Sequence, residues 1–243
     1  MISPVLLRVD GVSKRFGGFS ALSDVDLQVT QNERLGLIGP NGSGKTTLIN
    51  CISGLLKLDA GSITFDGDDI SGMAAYRRTR LGIARSFQLP LPFRSMTVLE
   101  NLIVPLEYVT HRGLPQVTDL REEASHILGQ MGLAEKANTI TTSLTQVDLR
   151  KLELARAIAT RPRLLISDEA MAGLSSAEIQ DVVAILRKLN EDGITVIMIE
   201  HIMRAVMSFS QRVICLDAGQ IICEGTPGEI VKNTEVRRAY LGA

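Results

Sequence analysis

Apolar positions fall into distinct patterns along the chain. Near the start, Leu6–Val9 and Val25–Val29 alternate or are rich in β-branched residues, with turn residues between them. That pattern suits half-buried strands, so the pair reads as antiparallel and joined through Gly17 and Gly18. Other runs are apolar without a break. Leu35-Gly36-Leu37-Ile38 stops at Gly39, Leu164-Leu165-Ile166 stops at Ser167-Asp168-Glu169, and Ile194–Ile199 stops at Glu200-His201. Short runs apolar on both faces are what a buried parallel sheet requires. Helical spacing lies between them at Thr46–Leu56, Leu149–Thr160 and Ala177–Leu189. The last follows Ser175-Ser176, good N-cap chemistry, and stops before Asp192-Gly193.

The stretch from about Pro90 to Thr142 differs. Leu89-Pro90-Leu91-Pro92-Phe93 breaks the chain, then Val98–Tyr108 and Leu120–Met131 carry helical spacing with no strand run between them. This reads as a helical insertion in an α/β domain. With the next helix it spans approximately residues 90–160 of a single domain, 1–243. The tail returns to β structure at Arg212–Asp217 and Gln220–Glu224, a hairpin hinged at Ala218-Gly219. A short helix and a polar end, Glu235–Leu241, follow.

Composition narrows the function classes. The 26 basic and 27 acidic residues leave a formal charge of −1, which gives no electrostatic case for a nucleic-acid or anionic-lipid binder. Aromatics are only 4% and Trp is absent, which argues against a base-stacking surface. Cys51, Cys215 and Cys223 sit in apolar stretches without metal spacing, so they read as reduced, buried, small hydrophobes. The N-terminus lacks a basic segment followed by a long apolar run, and is not expected to be a signal peptide. No aliphatic run approaches the ~20 residues that cross a bilayer. Arg77, Arg78, Arg80 and Arg85 read as a solvated basic face, paired with neighbours such as Asp68 and Asp69. His111 and His126 read as surface residues, too far apart in sequence for a metal site.

The strongest chemical signal is Gly39-Pro-Asn-Gly-Ser-Gly-Lys-Thr-Thr47, with a strand pattern before it and a helix pattern after it. This is the G-x-x-x-x-G-K-[ST] phosphate-binding loop in its confirming context. Glycines 39, 42 and 44 let backbone N–H groups turn inward at phosphate oxygens, and the helix N-terminus faces the same anion. Asn41, Ser43 and Thr47 complete the loop. Lys45 adds a full charge, and the Thr46 hydroxyl can ligate Mg²⁺. Asp168 and Glu169 follow a buried strand, at the edge where α/β sheets bind ligands. One carboxylate would hold Mg²⁺, and the other would polarise water for attack on a γ-phosphate. His201, ending the next run, is placed to reach that phosphate.

Together these residues resemble an ATPase subunit of an ABC transporter, over essentially the whole chain. In that resemblance Phe16 stands where an aromatic stacks on adenine, and Gln88 matches the Q-loop glutamine, a catalytic and Mg²⁺-ligand position. Asp168 and Glu169 match the Walker B pair, and His201 the switch histidine. The fold implied is an α/β P-loop NTPase core with an antiparallel β subdomain and an inserted α-helical subdomain. ATP and Mg²⁺ are the implied ligands, bound between two such domains closing head-to-tail. Narrower strings resemble branched-chain amino-acid importers: Arg80-Leu-Gly-Ile-Ala-Arg-Ser-Phe-Gln88, Met96-Thr-Val-Leu-Glu-Asn101, Leu152-Glu-Leu-Ala-Arg156, Ile199-Glu-His201, Gly225-Thr-Pro227 and Val236-Arg-Arg-Ala-Tyr-Leu-Gly242. Urea-type and lipopolysaccharide-export ATPases share that ending, so the cargo stays open. The resemblance implies a second ATPase subunit, transmembrane permeases, indirectly a periplasmic binding protein, no nucleic acid, and a peripheral place on the cytoplasmic face of the bacterial inner membrane.

Several positions depart from the family pattern. The signature L-S-G-G-Q reads Leu144-Thr-Gln-Val-Asp148, so Thr145 keeps a hydroxyl while Val147 replaces a glycine that normally approaches a partner's γ-phosphate. Ala170 stands for a Pro, Ser175 for the D-loop acid or amide, and Ile202 for an Asp. Ser167 interrupts the apolar strand. These departures imply an asymmetric heterodimer: this chain's own site works, and the site closed by its signature is weak. A poorly hydrolysing regulatory subunit is the alternative.

Overall fold

The structure is a computed structural model, and it describes residues 4–110 and 119–241. His111, and Gly242 at the end of the C-terminal string, lie outside the described residues.

Two sheets share the load. Strand β1 (Val5–Phe16) pairs antiparallel with β2 (Phe19–Thr30), meeting at Phe16 opposite Phe19, with Gly17-Gly18 as the turn. On its other side β1 pairs with β4 (Ala60–Phe65), which pairs with the two-residue β5 (Asp68–Asp69). The second sheet has the order β10-β9-β3-β8-β7-β6. Its members are β3 (Arg34–Ile38), β6 (Ile83–Ser86), β7 (Leu164–Asp168), β8 (Thr195–Ile199), β9 (Arg212–Asp217) and β10 (Gln220–Gly225). All are parallel except β10, which returns antiparallel from β9. Every residue of β7 and β8 is buried, as unbroken apolar runs demand. The β9–β10 turn, Ala218-Gly219, has φ 45° and 80°, the double left-handed conformation of a tight hairpin.

Two cores flank the parallel sheet. Helix α1 (Lys45–Ser53) packs its Leu48, Ile49 and Ile52 between the two sheets, against Leu7, Leu27 and Ile166. On the opposite face lie α6 (Ser176–Glu191) and α7 (Met203–Phe209), together with three helices between β6 and β7. Those three are α3 (Val98–Thr110), α4 (Leu120–Gln130) and α5 (Gln146–Ile158). The mixed α/β layout, with an antiparallel sheet beside it and helices inserted between β6 and β7, is the one the family resemblance leads one to expect.

Several boundaries and environments differ from the sequence reading. Helix α1 ends at Ser53, not Leu56, because Gly54 turns left-handed at φ 79° and bonds back to the last carbonyls. Helix α5 starts three residues before Leu149, because Thr145 and Asp148 cap it reciprocally. The polar end is itself helical: after α8 (Pro227–Lys232), helix α9 (Thr234–Leu241) turns Val236 into the core. Cys51 and Cys215 are buried, but Cys223 is only half-buried, on edge strand β10, where the Asn233 amide donates to its sulfur at 2.9 Å. His126 is exposed on α4.

The basic face is the larger correction. Arg77 and Arg80 are exposed and lie over the Tyr76 ring, but Arg78 is 1% exposed. It lies in α2 (Ala75–Leu81) and its guanidinium donates to Met73, Cys51, Ile52 and Ser71 carbonyls at 2.7–3.0 Å. A planar five-donor group can join a helix end to a loop in this way, where an ammonium cannot. Arg85 is also withdrawn from solvent, as described below. No ion pair to Asp68 or Asp69 occurs among the described residues. Arg78→Ala therefore leaves buried carbonyls unpaired, and should cost on the order of 3 kcal/mol of stability in a denaturant titration. Arg78→Lys should recover only part of that loss.

Candidate functional site

The parallel strands end together, and their carboxyl ends deliver the chemistry. Strand β3 runs into Gly39, whose φ of 152° and surroundings exclude a side chain: an added Cβ would stand 2.1 Å from the Leu216 carbonyl oxygen. Gly44 caps α1 at φ 107°, and a Cβ there would meet the Ala21 carbonyl oxygen at 2.6 Å. These two glycines let the loop wrap closely enough to turn its amides inward.

Lys45 begins α1 and is buried. Its ammonium donates to the Gly39 and Pro40 carbonyls at 2.7 and 3.0 Å. Burial pushes its pKa down, and the nearby Glu169 and Asp168 charges act in the opposite sense. The Ser43 hydroxyl is buried in the same loop with no protein partner. A buried cation held only by carbonyl dipoles, beside an orphan hydroxyl, is a ready anion cradle.

Asp168 and Glu169 separate at the end of β7. Arg85, from the neighbouring β6, grips Asp168 Oδ2 at 2.5 Å through Nη2 and reaches Asn50 of α1 at 2.6 Å through Nη1. Both of its bonds to Asp168 fall on Oδ2, so Oδ1 is left for another ligand. Glu169 leaves the strand in the left-handed region at φ 47°, a strained conformation for a side-chain-bearing residue. Its Oε2 accepts from Gln88 Nε2 at 2.5 Å, and its Oε1 faces His201 Nε2 at 2.7 Å. Three sequence segments 30 or more residues apart thus meet on one carboxylate.

The cleft above the loop is about 280 Å³. Asn41, Gly42, Ser43, Gly44, Lys45, Thr46 and Thr47 form its floor, Glu169 and His201 one wall, and Phe16 its mouth. Asp168 and Gln88 do not line it: Gln88 reaches it through its bond to Glu169, and Asp168 lies behind Glu169 on Arg85. Phe19, which the sequence reading passed over, is 64% exposed beside Phe16. A larger groove of about 600 Å³ lies between β1–β2 and β9, but Arg212 there is already paired to Glu33 and Glu224. It offers no phosphate-binding backbone.

Comparison with known proteins bears directly on this geometry. The sequence pattern of the ABC transporter family matches residues 22–172, and that of the branched-chain amino acid ATP-binding cassette transporter matches residues 220–243. The high-affinity branched-chain amino acid transport ATP-binding protein BraF of Pseudomonas aeruginosa is 38% identical over 99% of each chain. The chain belongs to the ABC transporter family, as an ATP-binding cassette. Among solved structures, the ADP conformation of the cassette MJ1267 superimposes with a TM-score of 0.89 at 32% identity, covering 99% of this chain and 100% of that one. The dimeric cassette MJ0796 gives 0.82 at 28% identity, covering 91% and 99%. Cassettes of this family bind nucleotide, form dimers, and couple ATP hydrolysis to transport with membrane permease subunits. No helix among the described residues is long and apolar enough to cross a membrane.

Behind the cassette's carboxylates lies a second layer that the sequence reading did not weigh. Glu200, just before His201, is 2% exposed and accepts from the Met171 N–H at 2.8 Å. Burial raises its pKa to about 7, and the Glu169 charge adds to the rise, while the Met171 N–H and Arg150 oppose it. An acid whose folded pKa is raised stabilises least when ionised. Stability should therefore fall between pH 4.5 and 7, by up to about 3 kcal/mol, as the folded state is forced to give up its proton. Glu200→Gln keeps an acceptor for Met171 and removes this slope. Urea titrations at pH 5 and pH 8 should show the variant gaining on the parent only at the higher pH.

Proposed function

We propose that this chain is the ATP-hydrolysing motor of a membrane importer for branched-chain or closely related amino acids. The observation that carries the catalytic part is the convergence of Lys45, Glu169 and His201 on one phosphate-sized cleft. The cargo class is supported by the C-terminal match and by the name of the BraF relative. The peripheral place on the cytoplasmic face of an inner membrane follows from that reading.

In this mechanism the loop amides and Lys45 bind the β- and γ-phosphates, and Phe16 with Phe19 covers the base. Thr46, Asp168 Oδ1 and the Gln88 carbonyl oxygen would hold Mg²⁺, which when bound supplies charge neutralisation at the phosphates. Lys45 exchanges its two carbonyl partners for phosphate oxygens. Glu169 accepts a proton from the attacking water, which requires Gln88 or His201 to release one of its oxygens. His201, once free, donates toward the γ-phosphate. Arg85 stays on Asp168 Oδ2 and fixes the carboxylate's plane.

The permease would dock beside the Gln88 loop. Phe87, Leu89, Leu91 and Phe93 are 41–75% exposed, a density of apolar surface unusual for a free face. Next to them a groove of about 250 Å³ runs between Leu55, Pro105, Glu153 and Arg156. The helical residues of roughly 90–160 act as the subdomain that transmits this docking, since Arg156 of α5 holds the Leu91 carbonyl at 2.8 Å.

Asymmetry between two ATP sites is supported by the signature. Asp148 bends back onto Thr145, accepting from its N–H at 3.2 Å and its hydroxyl at 2.6 Å, and Lys136 pairs with it at 2.5 Å. The N-terminus of α5, where a partner's γ-phosphate would lie, thus carries its own carboxylate, and Val147 adds bulk. With its N–H groups and dipole already answered by Asp148, such an end has less to offer a second anion.

Two outcomes check these assignments. Glu169→Gln should abolish most turnover of the assembled transporter while nucleotide affinity is kept; full turnover by this variant removes Glu169 from the mechanism. Val147→Gly with Asp148→Gln should raise the ATPase rate of the reconstituted complex severalfold. An unchanged rate contradicts a weak site at the signature.

A further inference from the structure

The P-loop is tied from behind by the C-terminal quarter of the chain, through two bonds that do not touch the cleft. The β9–β10 turn donates from Gly219 N–H to the Ser43 carbonyl at 2.9 Å. Helix α9 places the Tyr240 hydroxyl 2.8 Å from the Gly39 nitrogen, where it accepts the first N–H of the loop. The helix is itself fixed: Asn233 caps it by accepting from the Glu235 and Val236 N–H groups, and Val236 is 5% exposed. We propose that Tyr240 is a positioning residue for the nucleotide site, holding the Gly39 peptide so that the loop is pre-shaped for phosphate.

The physical case rests on Gly39. A glycine at φ 152° is free to swing, because no side chain restrains it. Its carbonyl is one of the two acceptors that Lys45 has among the described residues. A swing of this residue would therefore misplace the lysine as well as the amide. Tyr240 removes that freedom with a single bond, and leaves the carbonyl side to Lys45. The β9 backbone closes the remaining space, since the Leu216 carbonyl oxygen would be 2.1 Å from a Cβ on Gly39. Ordering this residue in advance lowers the entropy that a bound phosphate must overcome. Tyr240 is 38% exposed, and its hydroxyl is the atom that bonds the loop.

The inference rests on the assignment of the loop to the phosphates of ATP, and the test separates the two. The full-length chain is titrated with a fluorescent ATP analogue at a temperature where every variant is folded. Tyr240→Phe deletes only the hydroxyl, and should weaken binding about five-fold, the value of one neutral hydrogen bond. The Gly39 amide should exchange with solvent at least about ten-fold faster in this variant, while core strand amides keep their rates. In the assembled transporter KM for ATP should rise by the same factor with kcat little changed. Lys45→Ala serves as the reference. If Lys45→Ala binds normally, the phosphate assignment is wrong. If Lys45→Ala loses binding while Tyr240→Phe stays within two-fold of the parent, or lowers kcat at constant KM, the role given to Tyr240 is overturned. A Val236→Ala chain, in which α9 is loosened by packing, should reproduce the faster Gly39 exchange.

Discussion

A buried ammonium with no carboxylate in direct contact among the described residues is the constraint around which this molecule is arranged. Lys45 must stay charged to meet phosphate, yet burial at the carboxyl end of the parallel sheet works against that charge. Two carbonyl dipoles satisfy it, and they come from a loop that only glycine at 39 and 44 can shape. A direct salt bridge to Asp168 or Glu169 would be stronger at rest and would compete with the nucleotide for the same cation. The fold instead keeps each of those carboxylates busy elsewhere, one on Arg85 and one on Gln88 and His201.

This division also explains why adjacent acids can do different work. Asp168 lies in the strand, gripped by a side chain that is itself 8% exposed, so its position is set by the sheet. Glu169 has left the strand at positive φ, and among the described residues its carboxylate is held by two side chains, one from the segment after β6 and one from the residues after β8. A carboxylate held by exchangeable partners can be released, as the base role proposed for Glu169 requires. Glu200 beneath them carries a third potential charge, but its raised pKa keeps much of it neutral near pH 7.

The phosphate loop, the Walker B pair and His201 were legible because their chemistry is contiguous in sequence or follows an apolar strand. The element between them was not. Helix α2 reads Ala-Tyr-Arg-Arg-Thr-Arg-Leu, with no apolar stripe, and it is anchored by the four bonds of Arg78 instead. A buried arginine looks like a surface one until its carbonyl partners, 26 and 27 residues away, are placed. Strand β6 hides for a related reason: half of its four residues, Arg85 and Ser86, are polar. Arg85 finds Asp168 across 83 residues of chain, a separation that no local pattern reports. Tyr240 was part of a family-like string, but its hydroxyl reaches a residue 201 positions earlier.

The two helix N-termini of the chain's nucleotide chemistry show what the sequence departures mean physically. At α1 the cap is a glycine at positive φ with no side-chain bond and no acid in the first turn, so the N–H groups and the dipole face outward for an anion. At α5 the cap is a threonine in a closed capping box, with Asp148 in the first turn and Lys136 neutralising it from outside. The same dipole is open at one end of the molecule and already answered at the other. In the head-to-tail dimer that the family resemblance implies, each P-loop would face the other subunit's signature, so a chain with one open and one self-capped terminus would build one open site and one closed one. In the asymmetric dimer proposed above, the partner would supply the open signature and in return receive the closed one. A homodimer would place the self-capped terminus over both sites. The cleft around Lys45, Glu169 and His201 would then close on no open helix terminus, which is the physical argument behind the proposed non-identical second subunit.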